Sequence, residues 1–333
     1  MSSATPTHPP PQMRRGARMI VLVSVILPPL ALIAVMWMAW GSGFGGLDLS
    51  LFAGMYLFCG LGITIGFHRY FTHKAFDCPR WVKILLGISG SMALQGDLFW
   101  WCAVHRKHHQ HSDGVDDPHS PNVGSNNRSR RFLHSHFGWL FRIEPLDLHR
   151  YVPDLMADPD LKLINRLFPL WGLLSVSIPA VLGGLLTGTW FGAFTGLLWG
   201  GLVRVFFEHH VTWSVNSACH IWGRQPYETH DHSRNNPLVG VLALGEGWHN
   251  NHHAFPTSAR HGLTWWQFDS SWLVIRMMAC LGMARKLKTP GVERMARFSC
   301  DDVNETYEQE PADAISEVKS DPGDRIVALL PVE

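Results

Sequence analysis

The chain has 333 residues, of which 46% are hydrophobic and only 17% charged, with 15 Trp and a formal net charge of +1. The basic residues are scattered instead of forming a stripe, so nothing favours nucleic-acid binding, and the apolar content exceeds that of an ordinary soluble domain. Six cysteines, Cys59, Cys78, Cys102, Cys219, Cys280 and Cys300, form no CxxC pair and no disulfide framework, as suits a reducing cytoplasmic face.

In chain order, residues 1–18 read as a disordered tail rich in Pro, Ser and Thr. Spanning a hydrocarbon core takes about 20 apolar helical residues, and residues 19–40 and 47–67 supply two such runs. The first is too long for a signal-peptide core and lacks a small-residue cleavage site. Its Pro28 and Pro29 are tolerable where neighbouring helices satisfy the freed carbonyls. The GSGFGG between the two runs matches a dinucleotide-binding string, but no strand precedes it, so it reads as a flexible turn. A polar and amphipathic segment follows. Spans three and four, 168–188 and 190–207, form a second hairpin closed around Thr187 and Thr189. After another polar segment, GLTWWQFDSSWLVIRMMACLGM places Trp265, Trp266 and Trp272 on an interfacial helix. Residues 291–333 read as an acidic, disordered tail, leaving a folded domain at 19–290. No internal repeat of solenoid length is present.

Neither hairpin loop holds Lys or Arg, whereas Arg14, Arg15 and Arg18 precede the first span. The positive-inside rule then puts both termini and the polar segments in the cytoplasm, in a bacterial inner membrane. The expected fold is an all-α integral membrane protein with four transmembrane helices in two hairpins and a cytoplasmic helical cap.

Nine histidines stand in clusters: His68 and His73 in HRYFTH, His105, His108 and His109 in HRKHH, His220 in NSACH, and His249, His252 and His253 in HNNHH. Residues three and four apart share a helix face. Each HxxHH cluster is therefore expected to aim its rings at one point, and Asn216 shares a face with His220. His68 and His73, five apart, turn away from each other on a straight helix, so His73 is placed past the helix end. Isolated histidines are more often hydrogen-bonded surface or core residues, a reading applied to His8, His111, His134, His149, His209, His230, His232 and His261. Two HxxHH helices in one chain have little structural purpose without metal. Nine imidazoles exceed one ion's capacity and suit two. No HExxH is present, which removes a zinc protease. Imidazole is compatible with several metals, and O₂ chemistry at a membrane face favours iron.

HRYFTH, HRKHH and HNNHH, with WSVNSACH, DPH, SHFGW and GEGWHNNHHAFP, resemble membrane-bound fatty acyl desaturases of the stearoyl-CoA (Δ9) type, closest to their bacterial branch. The resemblance runs from the first span to about Lys288. It implies a di-iron centre, one iron held by His68, His73, His105, His109 and His252, the other by His108, His220, His249 and His253, with Asn216 reaching the second through water. It implies an O₂-dependent reaction that removes two hydrogens from adjacent methylenes and leaves a cis double bond and water. Trp213 and Thr212 match positions lining the acyl tunnel, and Arg142 is a candidate contact for a phosphate.

Animal acyl-CoA members of this family carry an Arg-Asp pair before the second box and an Asn upstream. Here Ala103, Val104 and Gly96 stand in those places, leaving the acyl carrier open between CoA thioester and membrane lipid. The chain shows no flavin fingerprint, iron–sulfur cysteine set or haem domain, so a separate ferredoxin-like or cytochrome b5-like donor is required. Two rival readings remain: a histidine-box hydroxylase of an alkyl or acyl chain, and a metal-binding or metal-transport protein. The second would need ionisable groups at mid-membrane depth, and the four runs hold almost none apart from Arg204, placed near a helix end.

Overall fold

The structure, a computed structural model, describes residues 15–39, 44–124, 126–142 and 146–300. Residues 1–14 and 301–333 of the expected tails, with His8, and residues 41–43 of the GSGFGG turn lie outside the described residues.

Fourteen helices follow one another with no strand among the described residues, only isolated β-bridges. They are α1 (Arg15–Ala39), α2 (Gly46–Thr72), α3 (Arg80–Met92), α4 (Leu98–His111), α5 (Arg128–His136), α6 (Leu148–Tyr151), α7 (Pro153–Ala157) and α8 (Pro159–Arg166). Then come α9 (Phe168–Thr187), α10 (Trp190–His220), α11 (Pro237–Leu242), α12 (His249–Ala254), α13 (Ser270–Cys280) and α14 (Val292–Phe298). Short polar side chains mark many of the starts. Asp97, Asn127, Asp158, Asn236 and Asp269 each accept from a backbone N–H in the first turn of α4, α5, α8, α11 and α13, satisfying donors the helix cannot satisfy itself.

Among the described residues, three helices are long and apolar enough to cross a membrane: α2 with 27 residues, α9 with 20 and α10 with 31. In α1 the apolar stretch Val21–Trp37 is shorter. At 1.5 Å per residue α10 is roughly 46 Å long, well beyond a hydrocarbon core of about 30 Å. Its last turns, and those of α2, are therefore available to carry polar groups beyond the lipid.

The first apolar pair does not pack as a hairpin. α1 lays Ala31 and Val35 against Leu198 and Val203 of α10, while α9 and α10 lie along each other as expected. The spans also end later than their hydropathy suggests, because α2 runs on to Thr72 and α10 to His220. As a result Arg204 is not near a helix end but inside α10, fully buried and 3.0 Å from the buried carboxylate of Glu208 one turn on.

Both long helices contain π-helical turns, Gly62–Thr72 in α2 and Leu197–Val203 in α10. The α2 segment passes so close to α3 that a Cβ on Gly62 would come within 2.2 Å of the Gly90 nitrogen, so only glycine fits. The main core lies between this segment, α3, α4 and α8, around Ile65, Phe67, Phe76, Leu98 and Ile164.

At the far end, α13 carries Trp272, but Trp265 and Trp266 precede it in a non-helical stretch. The chain stays folded past residue 290. Met295 and Phe298 of α14 pack on Tyr227, Phe255 and Leu263, and the Glu228 N–H donates to the Phe298 carbonyl at 2.8 Å.

Candidate metal centre and acyl slot

The nine clustered histidines gather into two adjoining groups. His68, His73, His105, His109 and His252 form one; His108, His220, His249 and His253 form the other. Within each, the ligand-capable atoms lie within 4.8 Å of one another. Each HxxHH cluster thus serves both groups, not one point. Residues four apart on a helix face the same way and consecutive ones about 100° apart. So His105 and His109 go to the first group and His108 to the second, while His249 and His253 go to the second and His252 to the first.

His68 and His73 meet because the helix carrying them is not an α-helix. In π turns the i to i+5 bond brings residues five apart onto one face. The His73 N–H donates to the His68 carbonyl at 3.1 Å, and the two rings stand 4.9 Å apart. His73 does cap the helix end, as its sequence position suggests.

The short α12 is held from the side by the two asparagines of HNNHH. Asn235 Oδ1 accepts from the backbone N–H groups of Asn250 and Asn251 at 3.0 and 3.2 Å. Asn250 clamps Tyr227 through both its backbone groups, and the Asn251 amide donates to Gln267 and to the His261 carbonyl. Four of these hydrogen-bonding side chains are buried, which fixes where the three α12 histidines point.

Nitrogen spacing fits metal ligation. His68 and His252, His73 and His105, His105 and His109, and His220 and His249 approach through Nε2 atoms 3.0 to 3.1 Å apart. Two ligands about 2.1 Å from one metal at a right angle stand ~3.0 Å apart. In the second group the Nε2 atoms of His108 and His253 are buried without any hydrogen-bond partner. Burial holds His73, His105, His109, His249 and His252 well below the usual histidine pKa, and His253 is lowered to about 4. Neutral imidazoles keep the lone pair a metal needs.

Four carboxylates escaped the sequence reading. Asp117 accepts from Nδ1 of His108, Asp113 from Nδ1 of His220, Asp231 from Nδ1 of His253, and Glu246 faces Nδ1 of His68. A carboxylate on Nδ1 fixes the tautomer and leaves Nε2 for the metal. Burial raises the pKa of each acid, but the facing imidazole and its hydrogen bonds outweigh that, and all four are held below the ordinary carboxylate range. Asp113 does this from a left-handed backbone, φ 57°, which its contacts to Ser120, Asn122 and the His232 N–H hold in place. His261 is not isolated but lies against Glu246 and Arg69, and His119 of DPH lies tilted against His108 with ring centroids 4.4 Å apart. For three of the four the signal in the sequence was position, the acid-rich HSDGVDDPH one residue after the second box and the GEG one residue before the third. Gly245 of GEG has φ 110°, and a Cβ there would strike the Asp269 carboxylate at 2.2 Å.

A slot leads from these histidines toward the interior of the spans. Its walls include His68, His105, His249, Asn216, Trp101 and Thr212 near the clusters, then Ile63, Val211, Val215, Gly60, Tyr56 and Glu208. Gln95 donates to Thr212 Oγ1 at 2.9 Å and accepts from Trp101 Nε1 at 3.4 Å, tying α4 to α10 beside the slot. Of the sequence candidates for substrate contact, Thr212 lines the slot. Trp213 does not; it is buried among His136, His209 and His210. Arg142 is exposed at the end of a 3₁₀ turn and lies outside the slot wall.

Apolar helices able to cross a membrane, with two polyhistidine groups at the mouth of a mostly apolar slot, define a histidine-box membrane protein whose clusters can bind metal. The chain belongs to the fatty acid desaturase family, whose model matches residues 47–276. It is 39% identical over 270 residues to the hex-5-enoyl-[acyl-carrier protein] acetylenase of Moorena producens, an alignment covering 80% of this chain and 84% of that one. It is 40% identical over 240 residues to the sn-1 stearoyl-lipid 9-desaturase of Synechocystis sp., covering 71% and 70%. An acyl-CoA C20 Delta5-desaturase of Anemone leveillei is 40% identical over 241 residues, covering 71% and 72%. The protein is an acyl desaturase, an oxidoreductase of lipid metabolism, and the resemblance drawn from the histidine boxes holds.

Proposed function

We propose that this desaturase introduces a cis double bond at Δ9 of a saturated C16 to C18 acyl chain, carried as a CoA thioester or a membrane lipid. The observation that carries the reading is the slot itself, which opens on His68 and His105 of one group and His249 of the other. Its donors fit two irons. His68, His73, His105, His109 and His252 would hold one, and His108, His220, His249 and His253 the other, with Asn216 reaching the second through water. Two irons would supply the activation of O₂ that removal of hydrogen from an unactivated methylene requires.

The chain's own residues do the positioning. Nothing chemical distinguishes one methylene from the next, so regiochemistry depends on the slot holding a single pair beside the clusters. Thr212, fixed by Gln95, and Trp101, stacked on His105 with centroids 5.2 Å apart, form that part of the wall. Ile63, Val211 and Val215 exclude water from the chain beyond it. Asp113, Asp117, Asp231 and Glu246 hold the imidazole protons on Nδ1 and so keep each Nε2 lone pair facing inward.

Electrons come from a separate ferredoxin-like or cytochrome b5-like donor. The clusters, both termini and the donor lie on the cytoplasmic side of four membrane crossings, α1 included. The named relatives act on lipid-bound, CoA-bound and carrier-bound chains and at more than one position. Lipid analysis of a host expressing the chain tests the reading: new cis-Δ9 monounsaturated acyl groups are expected. Hydroxylated chains in their place would overturn desaturation, and a double bond at another carbon would overturn Δ9. Purified enzyme supplied in parallel with stearoyl-CoA and stearoyl-phospholipid identifies the carrier.

A further inference from the structure

The slot is apolar along most of its length, but its far end is not. The wall residues of α2 and α10 farthest from the histidines are Tyr56 and Glu208, each twelve residues, or roughly 18 Å at 1.5 Å per residue, before His68 and His220. The Tyr56 hydroxyl is engaged, donating to the Leu242 carbonyl at 2.9 Å. Glu208 is engaged on one side only. Its Oε2 accepts from Arg204 Nη1 at 3.0 Å, whereas Oε1, on a side chain 4% exposed, has no hydrogen-bond partner.

Arg204 cannot serve that second oxygen. Its guanidinium also donates to the carbonyls of Gly200, Met92 and Ser175 and to Ser175 Oγ. The five N–H donors of an arginine are thereby all engaged. Gly60 faces Oε1 across the slot: a Cβ there would lie 3.9 Å from Oε1 and 3.0 Å from Leu244 Cδ1, and all three residues line the slot.

We infer that Glu208 Oε1 is a specificity-determining acceptor subsite for the distal end of the acyl chain, favouring a chain that presents a hydroxyl there over a plain hydrocarbon long enough to cover it. The inference rests on the reading of the slot as the acyl site. A methyl end pressed against a buried carboxylate removes its remaining hydration and returns no hydrogen bond, which weakens binding about tenfold. A hydroxyl at the same depth donates to Oε1 and restores the bond. Chains that stop short of Glu208 feel neither effect.

The test uses full-length, iron-loaded enzyme with its electron donor and two series of saturated acyl substrates from C12 to C24, one unsubstituted and one carrying a terminal hydroxyl. The KM values of the two series should agree for short chains and separate by about tenfold, in favour of the hydroxylated chain, at the length that reaches Glu208. An Arg204→Met/Glu208→Leu double variant removes both charges together, so neither is left buried without its counter-charge. In it the separation should disappear. Equal KM values at every length in the native enzyme would overturn the subsite, as would a separation that survives in the double variant. Should the double variant not fold, the native series decides alone. If no chain acquires a double bond, the desaturase reading fails and the subsite with it; double bonds formed without any separation overturn the subsite only.

Discussion

Asp117 engages His108 by one ring nitrogen and leaves the other free: both carboxylate oxygens lie within 3.1 Å of Nδ1, while Nε2 is buried without a partner. A carboxylate also meets Nδ1 of His220, from Asp113, and Nδ1 of His253, from Asp231, so three of the four histidines in the second group are oriented by an anion. Among the described residues, His68 alone in the first group has one, and it shares Glu246 with Arg69 and His261. Replacing such an outer carboxylate typically costs 10- to 100-fold in metal affinity. Asp117→Asn should therefore lower the affinity of one of two metal sites by about that factor, read as metal retained against a graded chelator. Unchanged retention would show that Asp117 does not act through His108.

Asn235→Ala should loosen the third histidine box without touching a histidine. The substitution strips the acceptor from two buried N–H groups of α12 and the amide contact to Asn251 at 2.6 Å. Leaving buried donors unpaired costs about 2 kcal/mol. A lower unfolding temperature together with easier metal loss is expected, and an unaltered melting curve would contradict the clamp.

Much of this was legible in the sequence, for identifiable reasons. Histidine spacing marks the ligand clusters because i, i+3 and i, i+4 geometry holds in any α-helix, and α4 and α12 are α-helices. What spacing could not convey was the division of each HxxHH cluster between two groups, since that depends on how the two helices face each other. The π turns that bring His68 beside His73 carry no local sequence signal; glycine at 62, forced by contact with α3, is the only trace. Hydropathy ended α10 too early, because Glu208, His209 and His210 look like a polar exit while Arg204 and Glu208 neutralise each other inside the helix. The packing of α1 on α10 instead of on α2 was equally invisible, since loop length reports neighbours in sequence and not in space.

Thr212→Val is the direct test of regiochemical control. It keeps the shape of the wall but removes the acceptor for the Gln95 amide, which also holds Trp101. The expected result is turnover with a wider spread of double-bond positions, measured by mass spectrometry of derivatised products. A product profile identical to that of the native enzyme would remove Thr212 from this role.

Membrane topology can be checked independently of chemistry. A reporter inserted within residues 41–46 should lie outside the cytoplasm and one at residue 120 inside it, as the charge-free turn and the basic flanks demand. Both reporters on one side would rule out the proposed orientation.

Iron content per chain is the measurement that bears most directly on the central claim. Protein purified under reducing conditions should carry close to two irons per chain. His252→Ala and His253→Ala, neighbours in sequence that belong to different groups, should each weaken a different one of the two, while His111→Ala leaves both. A single tightly bound zinc, or two irons retained undisturbed in both cluster variants, would contradict the account.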